Sequence, residues 1–392
     1  MFQRLHSALQ RIQRELAEVL DAASITDACQ QAGYRFRRRL LDPVATIQLF
    51  VLQLLKGNFA IARLREFTDR TFSEAAYCKA RTRLPLPVLQ TLLRRVGSAV
   101  QATVDDTGRW HGHRTFHLDG SSFSMPDTPA LQKQFGQSGN QRPGCGFPVA
   151  HLLTLFHAGT GFLLQVLAAP LRTHDLAGVG ALHPALTAGD VLVGDRAFGS
   201  FAHCALLVAR GLHGVFRAHQ KQLIDFRVGR PHNASGRKRR KGLPSSRWLT
   251  RLGYQDQVVE YYKPTERPVW LTVEDYAALP SALCLRELRY QVNQRGYRTQ
   301  EVTLVTTLLD VEQYAADELA ILYGQRWQIE TNLRHLKQTM KMDVLHCETV
   351  DGVLKELTVF ALVYNLVRAV MCAAAQRQGV AVERISFADA LG

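Results

Sequence analysis

Apolar residues return every third or fourth position through Leu9, Ile12, Leu16 and Val19, and again through Ile47, Phe50 and Leu54. That spacing lines one face of an α-helix, so residues 1–108 are predicted to be helical. Within them, Ser73 opens the run SEAAYCKARTRLP as an N-cap and Pro85 ends it. Lys79, Arg81 and Arg83 make this short helix basic enough to lie on DNA, a pattern that an ordinary surface helix also carries.

From Arg114 the texture changes to short apolar runs of strand length. Thr115–Asp119, Ala150–Phe156, Phe162–Leu167 and Asp190–Gly194 are four predicted strands; a helix over Phe201–Arg210 and a fifth strand at Gly214–Arg217 follow. Three successive strands and then strand–helix–strand predict a mixed α/β fold, a mixed sheet with helices packed on it. Residues 217–300 interrupt this order with a basic loop, Arg237-Lys238-Arg239-Arg240-Lys241, and with alternating runs at Val258–Tyr262 and Val269–Val273 that predict antiparallel strands. Val302–Leu308 predicts one more strand, and a long helix is expected from Asp317 to Met342. The most apolar stretch, Leu357–Ala375, contains Asn365 and Arg368. It is therefore expected to be a buried helix and not a membrane span, which needs about 20 almost uninterrupted apolar residues. Four segments follow: 1–108 helical, 109–216 mixed, 217–300 basic and β-rich, and 301–392 ending in helices.

Charge sharpens this division. The chain carries 48 Lys and Arg against 34 Asp and Glu, a formal charge of +14. Residues 1–100 hold net +8, 101–216 net zero, 217–300 net +10 and 301–392 net −4. Two basic blocks around a neutral-to-acidic remainder fit a polyanion held while carboxylates act on it, and nucleic acid is the commonest such partner. The seven cysteines are scattered, with no CxxC pair and no Cys/His cluster at zinc spacing. That usage predicts a reducing, cytoplasmic compartment, and MFQRLHSALQRIQRE lacks the apolar core of a signal peptide. No Walker sequence or dinucleotide fingerprint is found, so no nucleotide cofactor is expected.

Two acidic residues stand where predicted strands end, Asp119 in HLDGSSFSM and Asp195 in VLVGDRAF. Each has a plain alternative: Asp119-Gly120 is a good hairpin pair, and Asp195 suits the turn into the next helix. The long helix supplies a third carboxylate. At helical spacing Tyr323, Arg326, Glu330, Arg334, Lys337 and Lys341 fall within an arc of about 80°, beside an apolar stripe of Leu322, Ile329, Leu333, Leu336 and Met340. One carboxylate among four cations looks suited to phosphates. Carboxylates at a sheet edge can hold two Mg²⁺ or Mn²⁺ ions for in-line attack on a phosphodiester.

Tyr323, Arg326, Glu330 and Lys337 stand at the spacing Y-x2-R-x3-E-x6-K. This resembles the signature of IS4-type insertion-sequence transposases, a family with DDE chemistry, and Asp119 and Asp195 resemble its first and second aspartates. The resemblance runs over roughly residues 115–375. It implies an RNase H-like core in which Asp119, Asp195 and Glu330 bind two catalytic metal ions. It implies that Tyr323, Arg326 and Lys337 contact transposon-end DNA, with Arg334 beside them, and that 217–300 is a β-rich insertion. Relatives with that insertion cut the second strand through a hairpin and stack a tryptophan on a flipped base; Trp248 and Trp270 are the candidates here. Relatives often continue beyond the last core helix with helices that pair protomers. The end at Ala390-Leu391-Gly392 therefore implies a short copy. Three readings result: an active transposase binding terminal inverted repeats through residues 1–108 and acting as at least a dimer on paired ends, a non-catalytic DNA-binding descendant, or a metal-dependent nuclease without strand transfer.

Overall fold

A computed structural model describes residues 20–104, 109–139, 142, 145–233, 240–292 and 300–391. Helices come first: α1 (Ala22–Gln31), α2 (Pro43–Leu55), α3 (Glu74–Arg83) and α4 (Leu86–Val104). Three of them start on a side-chain cap, with Asp21, Asp42 and Ser73 accepting from the backbone N–H groups of Ser24, Ala45 and Ala76. The expected helix through Leu9–Val19 lies outside the described residues.

One nine-stranded sheet follows, formed by β1 (Thr115–Ser124), β2 (Val149–His157), β3 (Leu163–Pro170), β4 (Val191–Gly194), β5 (His213–Arg217), β6 (Ser246–Gly253), β7 (Asp256–Tyr262), β8 (Ala282–Val292) and β9 (Gln300–Thr306). Its order is β3-β2-β1-β4-β5-β9-β8-β7-β6. β1, β4 and β5 run parallel, and every other pairing is antiparallel. The strands of the basic segment thus extend the same sheet instead of forming a sheet of their own.

Helices cover both faces. Alternation along β1 sends Phe116 and Leu118 into a core with α5 (Asp175–Leu182) and α6 (Phe201–Ala209). Phe123 faces the other way, into the largest core, with the N-terminal helices, α8 (Trp327–Arg334) and α9 (Val350–Gln378). Val191 and Val193 of β4 lie in a third cluster under α7 (Ala316–Gly324). α9 is the one described helix long and apolar enough to cross a bilayer, and most of that run is buried inside the protein. Its polar residues have partners there. Asn365 exchanges two hydrogen bonds with the Leu163 backbone, both 2.8 Å, and Arg368 Nε donates to the Thr160 carbonyl at 2.8 Å.

Three local expectations are corrected. β1 does not turn at Asp119-Gly120 but stays paired with β2 through Ser124. Val269–Val273 is no strand, because Thr272 caps a short helix, Val273–Ala278. The helix expected over Asp317–Met342 is two helices that meet at Gln325–Arg326, followed by a π-helical turn, His335–Thr339.

Candidate active site

Asp119 sits in the middle of β1, on the face that α8 crosses. The parallel register pairs Leu118 with Gly194, so the next residues along the two strands are Asp119 and Asp195. Neighbouring strands lie about 4.8 Å apart, which brings two aspartates 76 positions apart in sequence side by side. Each is oriented locally: Asp119 Oδ1 accepts from the Gly120 N–H at 2.9 Å, and Asp195 Oδ1 accepts from the Ala197 N–H at 2.8 Å.

The third carboxylate comes from α8. Arg326 reaches out to Asp119 Oδ2 at 3.7 Å and, one turn along, donates to Glu330 Oε1 at 3.2 Å. One guanidinium therefore joins β1 to the helix. Burial alone would lower the Arg326 pKa, but Tyr323, Asp119, Glu330 and Asp195 around it raise it. Further along, Lys337 Nζ donates to Ser121 Oγ at 3.2 Å. Beyond the π turn the chain pairs with the end of β1: the Ser124 N–H donates to the Asp343 carbonyl and the Leu345 N–H to the Ser124 carbonyl, each at 2.9 Å. That pairing holds the helix in register over the strand.

Burial pushes the Asp119 carboxyl up to about 6; the Arg326 charge and the Gly120 N–H oppose the rise, and Asp195 and Asp175 add to it. The site's donors are all carboxylate oxygens, the set that suits a hard divalent ion. Among the described residues, however, no group of three or more His, Cys, Asp or Glu side chains is close enough to hold a metal ion. The Arg326 guanidinium fills the space between Asp119 and Glu330.

The other expected residues divide. Tyr323, pushed above the ordinary phenol value by burial, joins Arg326 and lies within reach of Asp195 and Arg217. Arg334 is exposed on α8. Lys341 leaves the helical stripe: its backbone is left-handed, with φ 63°, and its side chain lies against Gly57. Trp248 is on β6, the outermost strand, six strands from β1 and thus about 29 Å along the sheet. Trp270 packs on the core under α5 and α6, across the sheet from α8. Neither tryptophan is brought to the carboxylates. Arg237, Lys238 and Arg239 lie outside the described residues; Arg240 and Lys241 are described, and the Arg240 N–H donates to Asn233 Oδ1 at 2.7 Å.

Four residues at the site had no prominence in the sequence. Ser121, the Lys337 partner, is two positions past Asp119 on the same strand face, which was a usable signal. Arg217, at the end of β5, carries its charge to Tyr323. Asp175 lies behind Gly120: a Cβ there would stand 2.6 Å from Asp175 Oδ1, so any larger residue would force the Asp175 side chain to shift. Trp327, next to Arg326, is 58% exposed.

A transposase DDE domain family matches residues 110–366. Two curated relatives come from Escherichia coli (strain K12). The transposase InsG for insertion sequence element IS4 is 34% identical over 322 residues, 79% of this chain and 66% of that protein. The putative transposase InsZ is 26% identical over 130 residues, 32% of this chain and 42% of that protein. The chain thus spans less than two thirds of either relative. Among solved structures, a cryo-EM structure of the piggyBac transposase synaptic complex with hairpin DNA is 12% identical with a TM-score of 0.47, covering 98% of this chain and 78% of that one.

Proposed function

The chain belongs to the transposase DDE domain family, and on that premise we propose that it is a DNA transposase of IS4 type. It would bind the terminal inverted repeats of a mobile element, cleave at their ends and join the 3′-hydroxyls to target DNA. The observation that carries the reading is the convergence of Asp119, Asp195 and Glu330 around one guanidinium, from three separate parts of the chain. The strand order β3-β2-β1-β4-β5, antiparallel and then parallel, supports an RNase H-like core.

Asp119, Asp195 and Glu330 would hold two Mg²⁺ or Mn²⁺ ions, which when bound supply an activated hydroxyl and charge stabilisation at the leaving oxygen. The chain's own residues do the rest. Arg326, Lys337 and Arg334 present cations to the DNA backbone from one helix, and Tyr323 buttresses Arg326. The 1–108 segment would grip the repeat, and the 237–241 loop of the insertion would add phosphate contacts. Because two ends react together, the working form would be at least a dimer on DNA.

The test is cleavage and strand transfer by purified protein with Mg²⁺ and a duplex bearing the element's end. Asp119→Asn, Asp195→Asn and Glu330→Gln should each lose several kcal/mol of rate acceleration, roughly a thousandfold or more, while still binding the duplex. Near-normal cleavage by any one of them removes that residue from the catalytic set.

A further inference from the structure

The carboxylates converge on Arg326. Its guanidinium lies 3.7 Å from Asp119 and 3.2 Å from Glu330, with Asp195 within electrostatic reach. Lys337 donates to Ser121, and among the described residues Arg326 alone forms an ion pair with Asp119 or Glu330. Arg326 is therefore the counterion of the pair. Without it Asp119 would be a largely buried anion beside Asp195 and Asp175, a costly arrangement. The same planar fork suits a DNA phosphate equally well, because it binds phosphate and carboxylate with one geometry. A bidentate grip on phosphate would take up the Nη1 and Nη2 donors that now face Asp119 and Glu330.

We propose that Arg326 competes with divalent cations for Asp119 and Glu330, so that DNA, by drawing the guanidinium onto a phosphate, raises the affinity of the carboxylates for metal. This rests on reading those carboxylates as metal ligands. Off DNA, Arg326 keeps Asp119 and Glu330 aligned and blocks the position between them. On DNA, the phosphate frees that position while its own negative charge favours a cation there. Linkage makes the effect reciprocal, since a cation on the carboxylates strengthens DNA binding by the same factor. Metal loading then coincides with substrate, which limits stray hydrolysis.

The experiment titrates Mn²⁺ into the full chain, following the free-ion electron paramagnetic resonance signal, with and without a short blunt DNA duplex at low salt. Wild type should bind Mn²⁺ weakly alone and about 5- to 150-fold more tightly with duplex, the usual span of coupling between sites. Arg326→Gln should bind Mn²⁺ tightly without duplex and gain little from adding it. Arg326→Lys, which keeps the charge, should restore weak binding. Equal Mn²⁺ affinity of wild type with and without duplex overturns the inference without recourse to any variant. So does an Arg326→Gln protein that matches wild type, provided Asp119→Asn loses binding; the metal-ligand reading then survives. If Asp119→Asn binds Mn²⁺ like wild type in every arm, both fall together.

Discussion

At the residue scale, Trp327 is the side chain whose surroundings predict most. It opens α8 directly after Arg326, and Glu330, whose side chain is 66% exposed, follows one turn along the same exposed face. This large indole, 58% exposed, offers its face to solvent at the start of the helix that carries Glu330. An aromatic face of that kind stacks on an unpaired base, worth about 1–3 kcal/mol. Trp327→Ala should therefore weaken binding of a duplex with a single-stranded overhang by roughly 5- to 150-fold and leave a blunt duplex nearly unaffected. Fluorescence anisotropy on the two probes checks this, and equal losses on both would mean that the ring contacts duplex backbone or supports the fold. Trp327 lies outside residues 217–300, the segment that holds Trp248 and Trp270. Nothing in local spacing indicates that β6, β7 and β8 run away from β1 along the sheet.

At the scale of elements, strands and helix faces were largely legible because burial imposes period. Val191 and Val193 under α7 and Phe116 and Leu118 under α5 and α6 are the alternation expected of sheet strands covered on both faces. Elements whose fate depends on partners were not legible. Asp119-Gly120 has turn propensity, yet β1 runs straight through it because β2 pairs with it residue for residue and Asp175 occupies the space behind the glycine. The Tyr323–Lys341 stripe broke for a similar reason, as the chain widens into a π turn over His335–Thr339 before it pairs with the end of β1. One element contact bears directly on pH. The rings of His183, just beyond α5, and His203 of α6 stack with Nε2 atoms 3.2 Å apart, and His203 Nδ1 faces the Phe198 carbonyl at 2.8 Å. Burial and then the neighbouring His183 push His203 down to about 3, and burial and Arg210 push His183 down to about 4. Both folded values lie below the ordinary value of 6.5. The unfolded chain therefore binds the extra protons, and the pair's contribution is complete above pH 6.5 and is lost as pH falls toward 4. At pH 5 the loss is roughly 2 kcal/mol per ring. Urea unfolding at pH 7.5 and pH 5 should show this drop in wild type, and His183→Gln/His203→Gln should abolish most of it. An undiminished drop in the double variant would place the acid sensitivity in other groups.

At the scale of the whole molecule, the basic N-terminal block was visible as net charge, but the surface it makes depends on which acids are already engaged. Asp27 is paired with Arg95, Glu66 with Arg63 and Glu74 with Arg65, while Asp42 caps α2. Arg35, Arg37, Arg38, Arg39 and Arg83 are all exposed and have no hydrogen-bond or ion-pair partner among the described residues. Four of them line a cleft of about 310 Å³ with Tyr34 and Phe36 between the end of α1 and α3. Exposed arginines without acidic partners make a positive surface, and a DNA backbone supplies phosphates to meet it. The basic helix α3, ambiguous when read alone, becomes one wall of this cleft through Arg83. If the cleft tracks DNA, replacing Arg35, Arg37 and Arg39 together with Ala removes up to three phosphate contacts. The slope of log K against log salt should then flatten by about 2–3, since each contact contributes about 0.9, and affinity should fall for every duplex sequence alike. Binding isotherms from low to moderate salt decide it. A fall in affinity with the wild-type slope would mean that these arginines shape the cleft without touching phosphate. A loss confined to one sequence would mean that they read bases in a groove.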